Sequence, residues 1–252
     1  MANVNSYYLY QKYEKRVDQP WIPVYPSTYS VDGDGTMPIV IKTTADPQCN
    51  SRITYGASSK LNVDFSKFTP NAYNETFGTI YIGGKLTAIK DSAFYGKTSL
   101  KSIVIPDGAI TMGYNAFSGC TNLTRVNSNV NGICNIPSGT TSIGGSAFEK
   151  CSGFSSVNLP DSVTNIGTFA FQSCKGLTSV TIGSGITNIG NYSFRYCSNL
   201  TSVTVNATTP PSVGSSTFDS TNNCAIYVPP DSVDVYKSAW STYASRIQAI
   251  PT

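Results

Sequence analysis

The sequence predicts a β-rich solenoid, a right-handed coil of short parallel strands and short helical turns with a module at one end and a cap at the other. Two observations carry this. Phenylalanines recur at Phe94, Phe117, Phe148, Phe171, Phe194 and Phe218, in steps of 23, 31, 23, 23 and 24 residues. Each is followed by the same string of small, apolar and glycine positions, the signature of stacked repeats. Within a unit the apolar residues alternate, as in Val180 and Ile182 between Ser179 and Thr181, which reads as a short half-buried strand.

One unit, residues 177–197, shows the expected order of elements. The strand around Val180 ends at Gly183, where other units carry Pro106, Pro137 or Pro160, so a turn follows. Ile186 and Ile189 mark a second extended segment facing inward. The glycine after it (Gly144, Gly167, Gly190 or Gly214) is expected to supply a turn with positive φ. One or two helical turns then place Phe194 and Cys197 on one side, three residues apart. A single coil cannot bury its apolar edge, whereas coils stacked about 4.7–4.9 Å apart can. The long step holds an eight-residue insertion around 127–132.

These residues resemble the BspA-type, treponemal-class bacterial leucine-rich repeat, common in gut Bacteroidales. The resemblance covers 86–224. It rests on the pairs Ala93-Phe94, Ala116-Phe117, Ala147-Phe148 and Ala170-Phe171, the cysteine three residues on, the leucine after it, and "LPDSVTNIG" at 159–167. Lys97 stands where the first cysteine would be, Ser193 and Thr217 replace alanine, and Thr221 replaces the last cysteine. The resemblance implies a leucine-rich-repeat coil used for adhesion or binding; the alternative is a purely structural repeat protein that stabilises an assembly and recognises nothing.

Residues 50–85 read as the N-terminal cap of the solenoid. Residues 225–252 read as a strand–helix cap, with Asp231 or Ser232 as N-cap and Val233, Tyr236, Trp240, Tyr243 and Ile247 on one helical stripe over the last coil. Residues 1–49 are aromatic-rich and read as a small β module. Alternation around Trp21 and the "DGDG" turn at 32–35 support strands, and a hairpin is favoured over a calcium loop at Asp32 and Asp34. This segment resembles short N-terminal modules of Bacteroidales and phage appendage proteins. That likeness implies anchoring to other virion or cell-surface proteins, for which Tyr8, Tyr10, Tyr13, Trp21 and Tyr25 are the candidates.

Composition narrows the chemistry. Charged residues make up only 12% of the chain, net charge is +3, and no block of like charge marks a nucleic-acid surface. Histidine is absent, which removes Ser/His/Asp and Cys/His nucleophile systems and imidazole zinc sites. Asp91, Glu149, Asp161 and Asp231 are scattered, with no spacing that points to an acid pair. No catalytic, cofactor or metal residues are assigned, and an enzyme is not expected. No apolar run is long enough to cross a membrane. The N-terminus lacks an apolar leader segment, which favours a virion protein released by lysis over a cell-surface one.

The phased cysteines Cys120, Cys151, Cys174 and Cys197 read as small buried fillers beside the phenylalanines. A disulfide involving Cys134 or Cys224, or a reactive thiol, is the alternative. The recognition face is expected on the outward strand positions: Ser102, Arg125, Asn127, Ser156, Asn158, Ser179, Thr181, Ser202 and Thr204. Arg125, the only charge among them, adjoins the insertion, so 125–134 is the expected specific contact with a host glycan or surface protein. Homo-oligomers are compatible with this plan.

Overall fold

The structure, a computed structural model, describes residues 88–89, 91–98, 100–105 and 110–251, and the strands at 39–43, 52–53 and 79–82. The expectations for Tyr8, Tyr10, Tyr13, Trp21, Tyr25, Cys49 and the "DGDG" turn lie outside the described residues.

Strands β1 (Ile39–Thr43) and β2 (Arg52–Ile53) pair antiparallel, and β1 also pairs antiparallel with β3 (Thr79–Ile82). A strand from within 1–49 thus joins the edge of the repeat sheet. From β3 onward all pairing is parallel. Successive coils give strands alternately to a long sheet and to a second sheet, with two consecutive long-sheet strands at the insertion. β3 leads to β4 (Ala88–Ile89), and β5 (Ser102–Val104) to β6 (Ile110–Met112). β7 (Arg125–Val126) and β8 (Ile133–Asn135) precede β9 (Thr140–Ile143), and β10 (Ser156–Leu159) leads to β11 (Asn165–Ile166). β12 (Ser179–Ile182) leads to β13 (Asn188–Ile189), and β14 (Ser202–Val205) to β15 (Ser212–Val213). β16 (Ala225–Val228), helix α1 (Val233–Ala239) and β17 (Ile247–Ala249) close the chain. Among the described residues the long sheet has 11 strands and the second has 6, ordered β15-β13-β11-β9-β6-β4.

Register follows sequence phase. Val157, Val180, Val203 and Ile226 pair in line across β10, β12, β14 and β16, all buried, with half-buried polar residues between them. β-Branched side chains suit this pleated, one-sided burial.

The far side of each coil differs from the expected helical turn. It is an irregular turn with two left-handed residues per coil, such as Tyr192 (φ 59°) and Tyr196 (φ 61°) or Asn115 (φ 55°) and Gly119 (φ 76°). The physical reason is the hydrogen-bond pattern. A helix would keep its N–H groups within the coil, whereas here alternate N–H groups point along the stack. Phe94, Phe117, Phe148, Phe171 and Phe194 donate to the carbonyls of Ala116, Ala147, Ala170, Ser193 and Thr217 at 2.7–3.0 Å.

The phenylalanine rings stack in line, with centroids 4.8, 5.1, 5.3, 5.3 and 5.6 Å apart and planes within 9° of parallel. The repeated glycine serves this spacing in a different way from that expected. Gly144, Gly167, Gly190 and Gly214 are not in the left-handed region. A Cβ on Gly190 would lie 2.6 Å from the Thr168 nitrogen and 2.7 Å from the Gly167 carbonyl carbon of the preceding coil. Glycine is needed there so that backbones can approach, not for its φ.

The insertion forms an extra sheet rung. β7 and β8 pair in parallel, Val126 opposite Cys134, after only a short excursion held by the Gly132 N–H to the Thr124 carbonyl at 2.8 Å. The second sheet has no counterpart, since β6 pairs directly with β9. The added width on the sheet side is filled by buried Cys134 and by Phe154, which stands where other coils have Leu100, Leu123, Leu177 and Leu200. Phe154 meets Phe148 edge-on, centroids 6.1 Å apart.

At the C-terminus Tyr236, Trp240, Tyr243 and Ile247 are buried over the last coil and Val233 is partly buried, as the stripe implied. They do not share one helix. α1 stops at Ala239, a 3-10 turn spans Ser241–Arg246, and Ile247 opens β17, which pairs with β16. Ser232 occupies the N-cap without a side-chain cap bond. The break lets the cap satisfy the last coil: Tyr243 Oη accepts from the Phe218 N–H at 3.4 Å, Tyr236 Oη donates to the Ala207 carbonyl, and Trp240 Nε1 donates to the Pro211 carbonyl.

Gly190→Ala forces two coils apart, and overpacking of this kind costs about 1–3 kcal/mol. Its thermal unfolding midpoint, followed by circular dichroism, falls by several degrees, while Ser198→Ala on the exposed surface leaves it unchanged.

Candidate recognition face

The outward positions of the long sheet form two rows. In the first, Ser102, Arg125, Ile133, Ser156, Ser179 and Ser202 follow one another in register. In the second, Asn135, Asn158, Thr181 and Thr204 do so, and Asn127 lies just beyond the end of β7. The structure brings the sequence-predicted residues onto one face. It corrects how open they are: Ser102 is buried and the others are half-buried, because strands less than 5 Å apart shield one another's short side chains.

The asparagines are committed to holding the sheet. Asn127, at φ 46°, accepts the Ile105 N–H through Oδ1 at 2.7 Å and donates from Nδ2 to the Ile105 carbonyl at 3.0 Å. It stands in for a strand partner where β7 ends early. Asn135 donates to the Asn127 carbonyl, and Asn158 donates to Asn135 Oδ1 at 2.7 Å. The second sheet repeats the device, with Asn188 donating to Asn165 Oδ1 at 2.7 Å and Asn165 to Ser142 Oγ.

What is left for a ligand is narrower than expected. The hydroxyls of Ser156, Ser179, Thr181, Ser202 and Thr204 make no hydrogen bond among the described residues. Arg125 likewise has no partner there: its Nε is buried and unbonded, and its terminal nitrogens reach solvent. The expected contact segment 125–134 divides. Cys134 is in the core, and only the tip at 128–131 projects, with Val130 59% exposed. Ser128 Oγ accepts the Val130 N–H and fixes that tip.

The cysteines are fillers with a further role. Cys120, Cys151, Cys174 and Cys197 donate their thiols to the carbonyls of Phe94, Phe117, Phe148 and Phe171 at 3.0–3.1 Å, each bridging to the coil before. All six described cysteines are free and buried, so Cys134 and Cys224 form no disulfide. Burial disfavours the thiolate, pushing Cys120 and Cys197 up to about 12 and Cys134, Cys151 and Cys174 upward as well. The acids do not converge. Asp91 accepts the Tyr114 N–H, Asp161 accepts the Ser184 N–H, and Glu149 pairs with Lys150. The Ser184 bonds hold the Asp161 carboxyl below its usual range. Among the described residues no group of histidine, cysteine or acid could hold a metal ion.

Sequence reasoning missed a cluster on the opposite, turn side of the coil. Phe169 and Tyr192 stack at 5.1 Å, and the Arg195 guanidinium lies over Tyr192 and Tyr196 at 5.2 and 4.5 Å. The signal was available in the repeat phase, where Ser92, Asn115, Ser146 and Ser216 occupy the equivalents of Phe169 and Tyr192.

Parallel coils of this length, with a leucine or its equivalent opening each strand, define a leucine-rich-repeat solenoid. Six copies of the BspA type leucine rich repeat region match over residues 66–133 and 127–245, and the chain belongs to that family. A Treponema pallidum leucine rich repeat protein is similar at 24% identity, covering 69% of this chain and 92% of that one, with a TM-score of 0.46. A leucine rich cell surface protein from Faecalibacterium prausnitzii is also similar at 24% identity, covering 66% and 52%, with a TM-score of 0.41. A leucine-rich repeat protein from Bacteroides ovatus follows at 20% identity, covering 66% and 67%, with a TM-score of 0.30. No curated protein matches the chain.

Two predictions arise here. Asn127→Ala removes both bonds to Ile105 and leaves a less tolerant residue at positive φ, so chemical denaturation shows a loss of about 1–3 kcal/mol. The thiols stabilise the fold fully below their unfolded value near 9. As the unfolded chain ionises first, stability declines from about pH 9 and is lost towards pH 12. Denaturation midpoints measured from pH 7 to 11 show that decline, and a thiol reagent at pH 8 labels these positions only after denaturant is added.

Proposed function

We propose that this protein is a non-enzymatic binding scaffold of the adhesion type, which works outside the cell and presents its long sheet to a host glycan or surface protein. The observation that carries this reading is the five unbonded hydroxyls, in two rows, on the same sheet face as an unpaired Arg125, its one charge among the sequence-predicted positions. Such groups cost little to desolvate and offer directional hydrogen bonds. Thiols that are buried and bonded in four successive coils support a holding role over a chemical one.

In its finer form the proposal places the chain in a virion appendage of a phage infecting Bacteroidales, docked through residues 1–49. The likeness of the N-terminal segment supports that placement. Mass spectrometry of purified virions and of outer-membrane fractions tests it: peptides in the virion support it, and peptides confined to the outer membrane replace it with a bacterial cell-surface adhesin.

Binding of the full chain to host cells or a glycan array tests the face. Arg125→Ala and Thr181→Ala, each leaving the fold intact, weaken binding at least fivefold. Undiminished binding by both variants would remove the sheet face from the proposal.

A further inference from the structure

The turn side carries the cluster that the proposed sheet face does not use. Left-handed backbone is tolerated by serine, asparagine and glycine, and is unfavourable for bulky aromatic residues. Four coils obey this, with Ser92, Asn115, Ser146 and Ser216 at the first left-handed position. Two adjacent coils do not: Phe169 (φ 61°) and Tyr192 (φ 59°) hold aromatic rings there, stacked within 9° of parallel. The next coil position along that turn is Tyr196, also left-handed and 41% exposed.

These strained rings hold one cation. Arg195 lies over two of them, its guanidinium carbon 5.2 Å from the Tyr192 centroid and 4.5 Å from that of Tyr196. Its Nε is buried without a hydrogen bond, and its terminal nitrogens reach solvent. It forms no ion pair with Glu149 or with Asp219, the acid in phase with it one coil on; Glu149 pairs with Lys150. A guanidinium held by aromatic faces with its two terminal nitrogens free is pre-organised to take an anionic oxygen pair side-on.

The surroundings select among anions. Alternate backbone N–H groups of this turn are donated to the next coil, as from Ser173 to the Arg195 carbonyl and from Tyr196 to the Asp219 carbonyl. No open edge remains to which a peptide strand could add. Tyrosine beside a single cation suits a ring with one acidic group, its C–H face against the aromatic and its acid on the guanidinium. We infer that Phe169, Tyr192, Arg195 and Tyr196 form a binding site for an anionic saccharide, one bearing a carboxylate or sulfate. The site lies on the phenylalanine turn and not on a long-sheet strand, and does not depend on the sheet face.

The test is binding of the full chain to an array of neutral, carboxylated and sulfated glycans, with Arg195→Gln, Arg195→Lys and Tyr196→Ala compared with Lys237→Ala, which removes an exposed cation from the capping helix. Acidic glycans are bound at least tenfold more tightly than their neutral counterparts. Arg195→Gln abolishes that preference, Arg195→Lys restores part of it, and Tyr196→Ala weakens binding severalfold, with thermal midpoints unchanged and Lys237→Ala without effect. Equal binding of neutral and acidic glycans, full binding by Arg195→Gln, or equally effective competition by oligoglutamate overturns the inference. The last outcome would assign the site to an acidic peptide.

Discussion

The bond from each repeat phenylalanine to the coil beyond it is the constraint on which the rest of this molecule depends. The phenylalanine N–H reaches forward to the next coil, and its carbonyl receives a thiol from that same coil. With both backbone groups tied, the ring has one place to go, and the rings stack at about the spacing of the strands across the core. Every other repeated residue can be understood from that closeness. The cysteine must be small and carry a donor. Alanine before the phenylalanine must be small because its carbonyl is the acceptor for the previous coil. Glycine must lack a Cβ because the neighbouring backbone is already there. The last coil shows the constraint by its substitutions: Thr221 bonds its own Phe218 carbonyl, and the Tyr243 hydroxyl takes the N–H that has no further coil to meet.

The same constraint explains where an insertion is tolerated. Eight extra residues in the phenylalanine turn would break the ladder of bonds. Placed in the long sheet they add a parallel rung, and sheet pairing accommodates a rung anywhere. The cost falls inside, where one side of the stack becomes wider than the other. Phe154 in a leucine position and Cys134 beneath the new rung fill that wedge, so the aromatic ladder crosses the insertion with its usual spacing.

Much of this was legible in the residues. The period, the inward rows of valine and isoleucine, and the capping role of Tyr236, Trp240 and Tyr243 follow from residue type and phase. The sequence misleads where one residue type serves two physical ends. Gly190 reads as a positive-φ glycine because that is glycine's commoner use, while here it serves contact with a coil 23 residues earlier. The turn at Phe194 reads as helical because three-residue spacing suits a helix, while the bonds that decide its shape run to another coil. Asn127 and Asn158 read as surface ligands because they alternate with buried residues, yet Asn127 spends both amide atoms on Ile105 and Asn158 its Nδ2 on Asn135. Each error concerns a partner that is distant in sequence, and a local pattern does not reveal it.

Cohesion and recognition compete for the same short polar side chains in a stacked coil. Positions that repeat in every unit are those the neighbouring coil needs: thiols on carbonyls, asparagine on asparagine, threonine hydroxyls on the carbonyls of the preceding coil. A residue so bonded is costly to redirect towards a ligand, because its partner would be left buried and unsatisfied. Specific recognition is therefore to be sought at departures from the repeat. Arg125 and Arg195 are both departures. Each is a cation in a chain with few charges, each has a buried unbonded Nε, and each sits where other coils carry a small, polar or oppositely charged residue. Arg125 stands on a long-sheet strand and Arg195 on the phenylalanine turn, so the ligand proposed for either would leave the bonds between coils uninterrupted.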